Sequence, residues 1–229
     1  MSQVAIVTGA SRGIGREISK NLAQDGYHTI AVARSKQPLQ ELANTSENIT
    51  AIPTDLTDQN AVGTLVNLVN DFSGVDILIN NAGALINKSF KDLTLDDWRS
   101  QIESNLISAI HITKELLPQF NRDAHIVNIS SMGGFQGSTK FPGLAAYSVS
   151  KGALSILTEC LAVELSDKNI KANALCLGAV QTEMLEEAFP GIEAPLSASD
   201  MGSYIAKFAV EASAFYNGRI LPVALEDPE

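Results

Sequence analysis

The chain has 229 residues, 45% of them hydrophobic and 18% charged, a composition that excludes a disordered or fibrous protein. Sixteen Lys and Arg against 26 Asp and Glu leave a formal charge of −10, which excludes a broadly cationic nucleic-acid binder. Cys160 and Cys176 make no disulfide framework, and with His28, His111 and His125 they show no metal-ligand spacing, so no metal is expected.

In chain order, short apolar runs at 3–8, 28–33, 49–53, 75–80, 124–131, 169–176 and 218–224 predict strands. Helical patterns lie between them at 13–25, 37–44, 58–71, 96–118, 145–167 and 199–213. This alternation predicts an α/β, doubly wound domain: one mostly parallel, seven-stranded sheet with helices on both faces. No linker, repeat or charge block divides the chain. Met1-Ser2-Gln3 enters the first apolar run without a basic stretch, unlike a secretory leader. No apolar run nears the roughly 18 residues of a membrane span, so a cytoplasmic protein without membrane contact is expected.

The first strand ends in Thr8-Gly9-Ala10-Ser11-Arg12-Gly13-Ile14-Gly15 and opens onto a helix. Glycines there allow a sharp turn and close approach to a pyrophosphate, while free N–H groups at the helix start favour the anion. Gly9, Ser11, Arg12, Gly13, Ile14 and Gly15 are therefore candidate dinucleotide ligands. About twenty residues past such a loop a carboxylate marks NAD, whereas an arginine accommodates the 2′-phosphate of NADP. The second strand instead ends Val32-Ala33-Arg34-Ser35, and Arg12 supplies a second cation. NADP(H) is the preferred cofactor on this reading and NAD(H) the alternative.

Polar residues stand on two otherwise apolar helix faces. Tyr147 shares a stripe with Leu154, Leu161 and Leu165, which is expected to face the sheet, with Lys151 about 40° away, and Asn105 shares one with Trp98, Ile102, Ala109 and Leu116. Further polar positions follow the strands: Asp55, then Asn80-Asn81-Ala82-Gly83, then Ser130-Ser131, then Gly178-Ala179-Val180-Gln181-Thr182. Each suits an ordinary turn. Together they converge on the carboxyl edge of one sheet, where open α/β sheets bind ligands.

With these motifs in this order, the chain resembles the short-chain dehydrogenase/reductase family from residue 4 to about 182. The resemblance implies a single Rossmann-fold domain over 1–229 and hydride transfer between a nicotinamide and a small carbonyl or alcohol substrate. It implies Tyr147 as the proton donor, Lys151 as the cation that favours tyrosinate and holds the nicotinamide ribose, and Ser131 as the residue that fixes the substrate oxygen. Asn105 would anchor a water chain to Lys151. Ser130 competes with Ser131, and the family's Ser-x-x-Gly pattern, matched by Ser131-Met132-Gly133-Gly134, selects Ser131. Asp55 and Leu56 would flank the adenine, Asn81, Ala82 and Gly83 would line the cofactor, and Gly178, Val180 and Thr182 would place the carboxamide. A homodimer or homotetramer is implied, the dimer using residues 96–118 and 145–167.

The chain departs from the family pattern in three places. Leu177-Gly178 replaces Pro-Gly, which predicts a freer turn. Extra residues within 135–144 bring Phe141-Pro142-Gly143 to the rim. The substrate lid, about 183–200, is short, with room for only a short helix at 183–189. Phe135, Phe141, Met184, Leu185 and Phe189 either line an apolar pocket or close the core. The alternatives carried are a 3-oxoacyl-carrier-protein reductase-like enzyme and a non-catalytic NADP(H)-sensing binding protein.

Overall fold

A computed structural model describes residues 3–225; Met1 and Ser2, on which the leader reading partly rests, lie outside it. Seven parallel strands form one sheet: β1 (Val4–Thr8), β2 (His28–Ala33), β3 (Ile49–Pro53), β4 (Val75–Asn80), β5 (Phe120–Ser131), β6 (Lys171–Leu177) and a last strand, Arg219–Val223. Two short strands precede that last one, β7 (Val180–Gln181) and β8 (Leu196–Ser197), so it becomes β9. The order is β3-β2-β1-β4-β5-β6-β9, and every pairing is parallel. The order reverses beside β1, so the crevice at its carboxyl end lies between helices on opposite faces.

Why the sheet is covered twice is visible in β1. All five of its residues are buried, with Ala5 and Val7 in one core cluster and Val4 and Ile6 in the other. Alternate side chains leave opposite faces of a strand, so a strand with apolar residues on both faces needs cover on both. One layer contains α1 (Gly13–Gln24), α2 (Lys36–Ala43) and, late in the chain, Ala198–Glu211. The other contains α3 (Gln59–Val69), α5 (Ser108–Glu115) and α6 (Ala145–Glu164). With α4 (Leu95–Ile102) and α7 (Glu183–Ala188) counted, the late helix is α8. Gly202 lets α8 lie against α1, since a Cβ there would sit 3.0 Å from Ile18 N.

Three expectations need correction. The helix expected over 96–118 is broken into α4, a π-helical turn at Glu103–Ile107, and α5. One added residue in that turn rotates the two halves relative to each other, so a single 100° projection does not describe them. The face of α6 against the sheet is also rotated from the leucine stripe. It presents Ser150, Lys151, Leu154, Ser155, Thr158 and Ala162, while Leu161 and Leu165 are only partly buried. The cause lies in the strands, whose buried polar groups require partners. Asn128 Nδ2 donates to Thr158 Oγ1 (2.8 Å), and Ser155 Oγ donates to Ser130 Oγ (3.0 Å). Finally, the turn at Leu177-Gly178 is not free. Leu177 is in register with Val223, and Gly178 N–H donates to Val223 O at 2.9 Å.

Candidate active site

The tip of β1 is stapled to β4 by one hydroxyl. Thr8 Oγ1 donates to Ile79 O (3.2 Å) and accepts from the backbone N–H groups of Asn81 and Ala82 (both 3.0 Å), which uses its full capacity. Asn81 Nδ2 donates to Thr8 O (3.0 Å) and Gly9 O (3.3 Å). Gly9 has φ +67°, and a Cβ there would lie 2.8 Å from Ala82 Cα, so only glycine fits the approach. A Cβ on Gly15 would likewise strike Gly9 O. Helix α1 then starts at Gly13 with no capping bond from Arg12 and no acid in its first turn. Its leading N–H groups are unpaired donors at the end of a helix dipole, which suits a pyrophosphate. Ser11 lies partly exposed in the turn, and Ile14 packs on the core below it.

The two candidate phosphate arginines differ. Arg34 is exposed after β2 and makes no ion pair among the described residues. The Asp55 carboxyl lies below the ordinary carboxylate range because it accepts from Thr57 N (3.0 Å) and Oγ1 (2.8 Å), with the Arg34 charge a lesser cause. Leu56 beside it is buried. Arg12 is instead bound to Glu187 of α7: Nη1 to Oε1 is 2.6 Å and Nη2 to Oε2 is 3.5 Å.

Helix α6 carries Tyr147 and Lys151 one turn apart. Lys151 is 4% exposed, its Nζ donates to Ile129 O (2.8 Å), and it stands 6.0 Å from the Tyr147 ring centroid. Burial pulls the Lys151 ammonium down to about 8. Burial pushes the Tyr147 phenol above its usual 10, while the neighbouring Ser131 hydroxyl acts the other way. Ser131 Oγ accepts from Gly133 N (3.1 Å). Ser130 faces away, its Oγ donating to Lys151 O (2.8 Å) inside the α6–sheet layer. A Cβ on Gly134 would lie 2.5 Å from Gly152 N and 2.9 Å from Lys151 Cβ, so the turn after Ser131 rests on the backbone of α6.

The π-turn delivers Asn105 to the same centre. Its Oδ1 accepts from Ala84 N (2.7 Å), and its Nδ2 donates to Ala84 O (3.0 Å) and Ser150 Oγ (2.9 Å). Ser150 Oγ in turn donates to Tyr147 O at 2.7 Å. A Cβ on Gly83 would lie 2.9 Å from Asn105 Oδ1 and 3.3 Å from Lys151 Nζ, so these two side chains flank that glycine. Sequence reasoning missed Gln101, which is fully buried. Its Nε2 donates to Ala84 O (2.9 Å) and its Oε1 accepts from Ile86 N (3.1 Å). The available signal was its place four residues before Asn105, on the same face of a helix.

The mouth of the cleft is bounded by α7. Thr182 caps that helix, accepting from Leu185 N (3.3 Å), and a Cβ on Gly13 would lie 3.4 Å from Thr182 Cγ2. Val180 is held by its pairing with Leu196. Phe135, Met184, Leu185 and Phe189 are partly exposed and Phe141 is exposed, and all five are outside both core clusters. Among the described residues, no group of three or more His, Cys, Asp or Glu is arranged for a metal, and no helix is long and apolar enough to cross a membrane.

A family model described as short chain dehydrogenase matches residues 3–193. An uncharacterized oxidoreductase of Staphylococcus aureus (strain MW2) is 30% identical, with 89% of each chain covered. A counterpart from Staphylococcus epidermidis is 31% identical at the same coverage. A solved Serratia marcescens short-chain dehydrogenase/reductase, a double mutant, superposes with a TM-score of 0.87 at 28% identity, covering 97% of this chain and 96% of its own.

Gln101→Leu removes a donor and an acceptor while preserving bulk, and leaves Ile86 N unpaired. It is expected to cost about 1–3 kcal/mol in urea unfolding. Unchanged stability would show that Gln101 does not hold the 84–86 segment.

Proposed function

We propose that this chain, which belongs to the short-chain dehydrogenase/reductase family and is an oxidoreductase acting on CH–OH or C=O groups with NAD(P), is an NADP(H)-dependent reductase of ketones or aldehydes. The observation that carries the reading is the convergence of Tyr147, Lys151 and Ser131 beside a glycine turn whose helix starts uncapped. Bound NADPH supplies the hydride. The protein's own contribution is to hold the carbonyl oxygen and provide its proton.

Tyr147 is the donor in this reading. The burial that raises its pKa keeps the phenol protonated at neutral pH, and the nearby Lys151 cation offsets the phenolate charge as the proton leaves. The Ser131 hydroxyl, on the same side, donates to the substrate oxygen where charge develops. Asn105 is a positioning residue: its amide holds Ala84 and Ser150, and so fixes the segment beside Lys151. The cofactor ligands are those of the glycine turn, Asp55–Leu56, Asn81–Gly83 and Gly178–Thr182. Arg34 and Arg12 hold the 2′-phosphate. The rim aromatics and Met184 favour a carbonyl with an apolar flank.

An exposed apolar stripe supports self-association. Val149, Ile156 and Val163 recur every seven residues on α6 at 52%, 59% and 74% exposure, with Ile107 nearby in the chain's other long helical segment. In this reading these faces form the interface of a homodimer.

Tyr147→Phe is expected to lower the rate of NADPH oxidation across a panel of ketones and aldehydes by roughly 10²–10⁴ while NADPH affinity stays within about twofold. Turnover that survives the change would remove Tyr147 as the acid. Arg34→Ala is expected to weaken NADPH about tenfold and leave NADH unaltered, and equal losses would end the 2′-phosphate argument. In sedimentation, Ile156→Asp is expected to turn the dimer into a monomer; a wild-type monomer at micromolar concentration would refute that interface.

A further inference from the structure

The contact between Arg12 and α7 sets two anions in competition for one cation. Arg12 leads into the uncapped start of α1, where the proposed reading puts it on the 2′-phosphate of NADPH. In the structure both of its terminal nitrogens face the Glu187 carboxylate, at 2.6 and 3.5 Å. Helix α7 is tied down at its other flank as well, because Asn87 Nδ2 donates to Ala188 O at 2.9 Å. The helix therefore bridges the loop after β4 and the phosphate corner. A guanidinium that kept Glu187 while taking up a phosphate would bring a carboxylate beside a dianion. One of the two must be displaced.

We propose that Glu187 is a specificity-determining residue: by occupying Arg12 it opposes the 2′-phosphate and narrows the preference of the chain for NADP(H) over NAD(H). NADPH must take Arg12 from Glu187 and so free that end of α7. NADH, which has no 2′-phosphate, leaves the pair intact. The inference rests on Arg12 as a 2′-phosphate ligand. Both partners are more than half exposed, with side-chain exposures of 51% and 65%, so the effect is modest.

The test is direct titration of the purified protein with NADPH and with NADH, for the wild type, Glu187→Gln, Arg12→Ala and the double variant. Glu187→Gln is expected to tighten NADPH by about 1.5- to 5-fold, the range an exposed ion pair spans, and to leave NADH unaltered. In the Arg12→Ala background the same change is expected to do nothing to NADPH. Arg12→Ala alone is expected to weaken NADPH relative to NADH. Should it leave that ratio unchanged, the 2′-phosphate reading of Arg12 fails and this inference with it. Where Arg12→Ala lowers the ratio but Glu187→Gln shifts neither cofactor, shifts both alike, weakens NADPH, or acts equally without Arg12, the reading stands and the role of Glu187 is overturned.

Discussion

A lysine ammonium that is 4% exposed and touches no carboxylate among the described residues governs the layout of the cleft. Removing a cation from water is costly unless hydrogen bonds replace its hydration. Here the Ile129 carbonyl takes up one part of that duty, and the burial it leaves uncompensated lowers the ammonium to about 8. Space for it comes from Gly83, where any side chain would crowd both Lys151 and Asn105. The segment after Gly83 is then clamped by Asn105 and Gln101, and the π-turn brings Asn105 to that segment. A helical turn that looks like a local irregularity thus has a tertiary cause, the need to hold backbone beside a buried charge.

How far the sequence foretold this depends on whether each feature had a period. All seven strands of the main sheet and the helical segments between them were legible, because Val and Ile runs alternate with amphipathic segments of ordinary length, but the π-turn that breaks 96–118 had no such signal. The start of β5 was not legible: it begins at Phe120, four residues before the apolar run that announced it, and is tied there by Asn121 Nδ2 to Asp76 Oδ1 at 2.9 Å. The pairs Val180–Gln181 and Leu196–Ser197 are too short to show any alternation. On α6 the leucine stripe was the wrong guide, since polar strand residues such as Asn128 and Ser130 drew serines and a threonine toward the sheet. The polar candidates of the site were readable through their order along the chain. Gln101 and Glu187 were not, because their meaning lies in contacts with Ala84 and with Arg12, 175 residues distant in the latter case.

The surplus of acidic residues also acquires a location. Three glutamates fall within the six residues of α7, and two of them, Glu183 and Glu186, occupy its first turn, where they complement the helix dipole. A helix this short does not persist without such support. Its capping threonine, its first-turn acids and its bond to Arg12 together hold a segment with no residue buried in the core. A net charge of −10 thus includes a cluster that stabilises α7 and pairs with Arg12.

The contact of Gly134 with the α6 backbone bears on how this cleft tolerates change. Where two side chains meet, a substitution on either shifts the gap between their elements, and neighbours repack to suit. Where two main chains meet, as they do at Gly134 and Gly152, the gap is as small as atoms allow and no repacking alters it. Ser131 is thereby held at one distance from the helix that bears Tyr147 and Lys151, whatever happens to the leucines and valines around them. Rim residues from 135 to 144 and along α7 are free of that restraint, so the recognition of new molecules can drift there while the spacing of the reacting groups stays put.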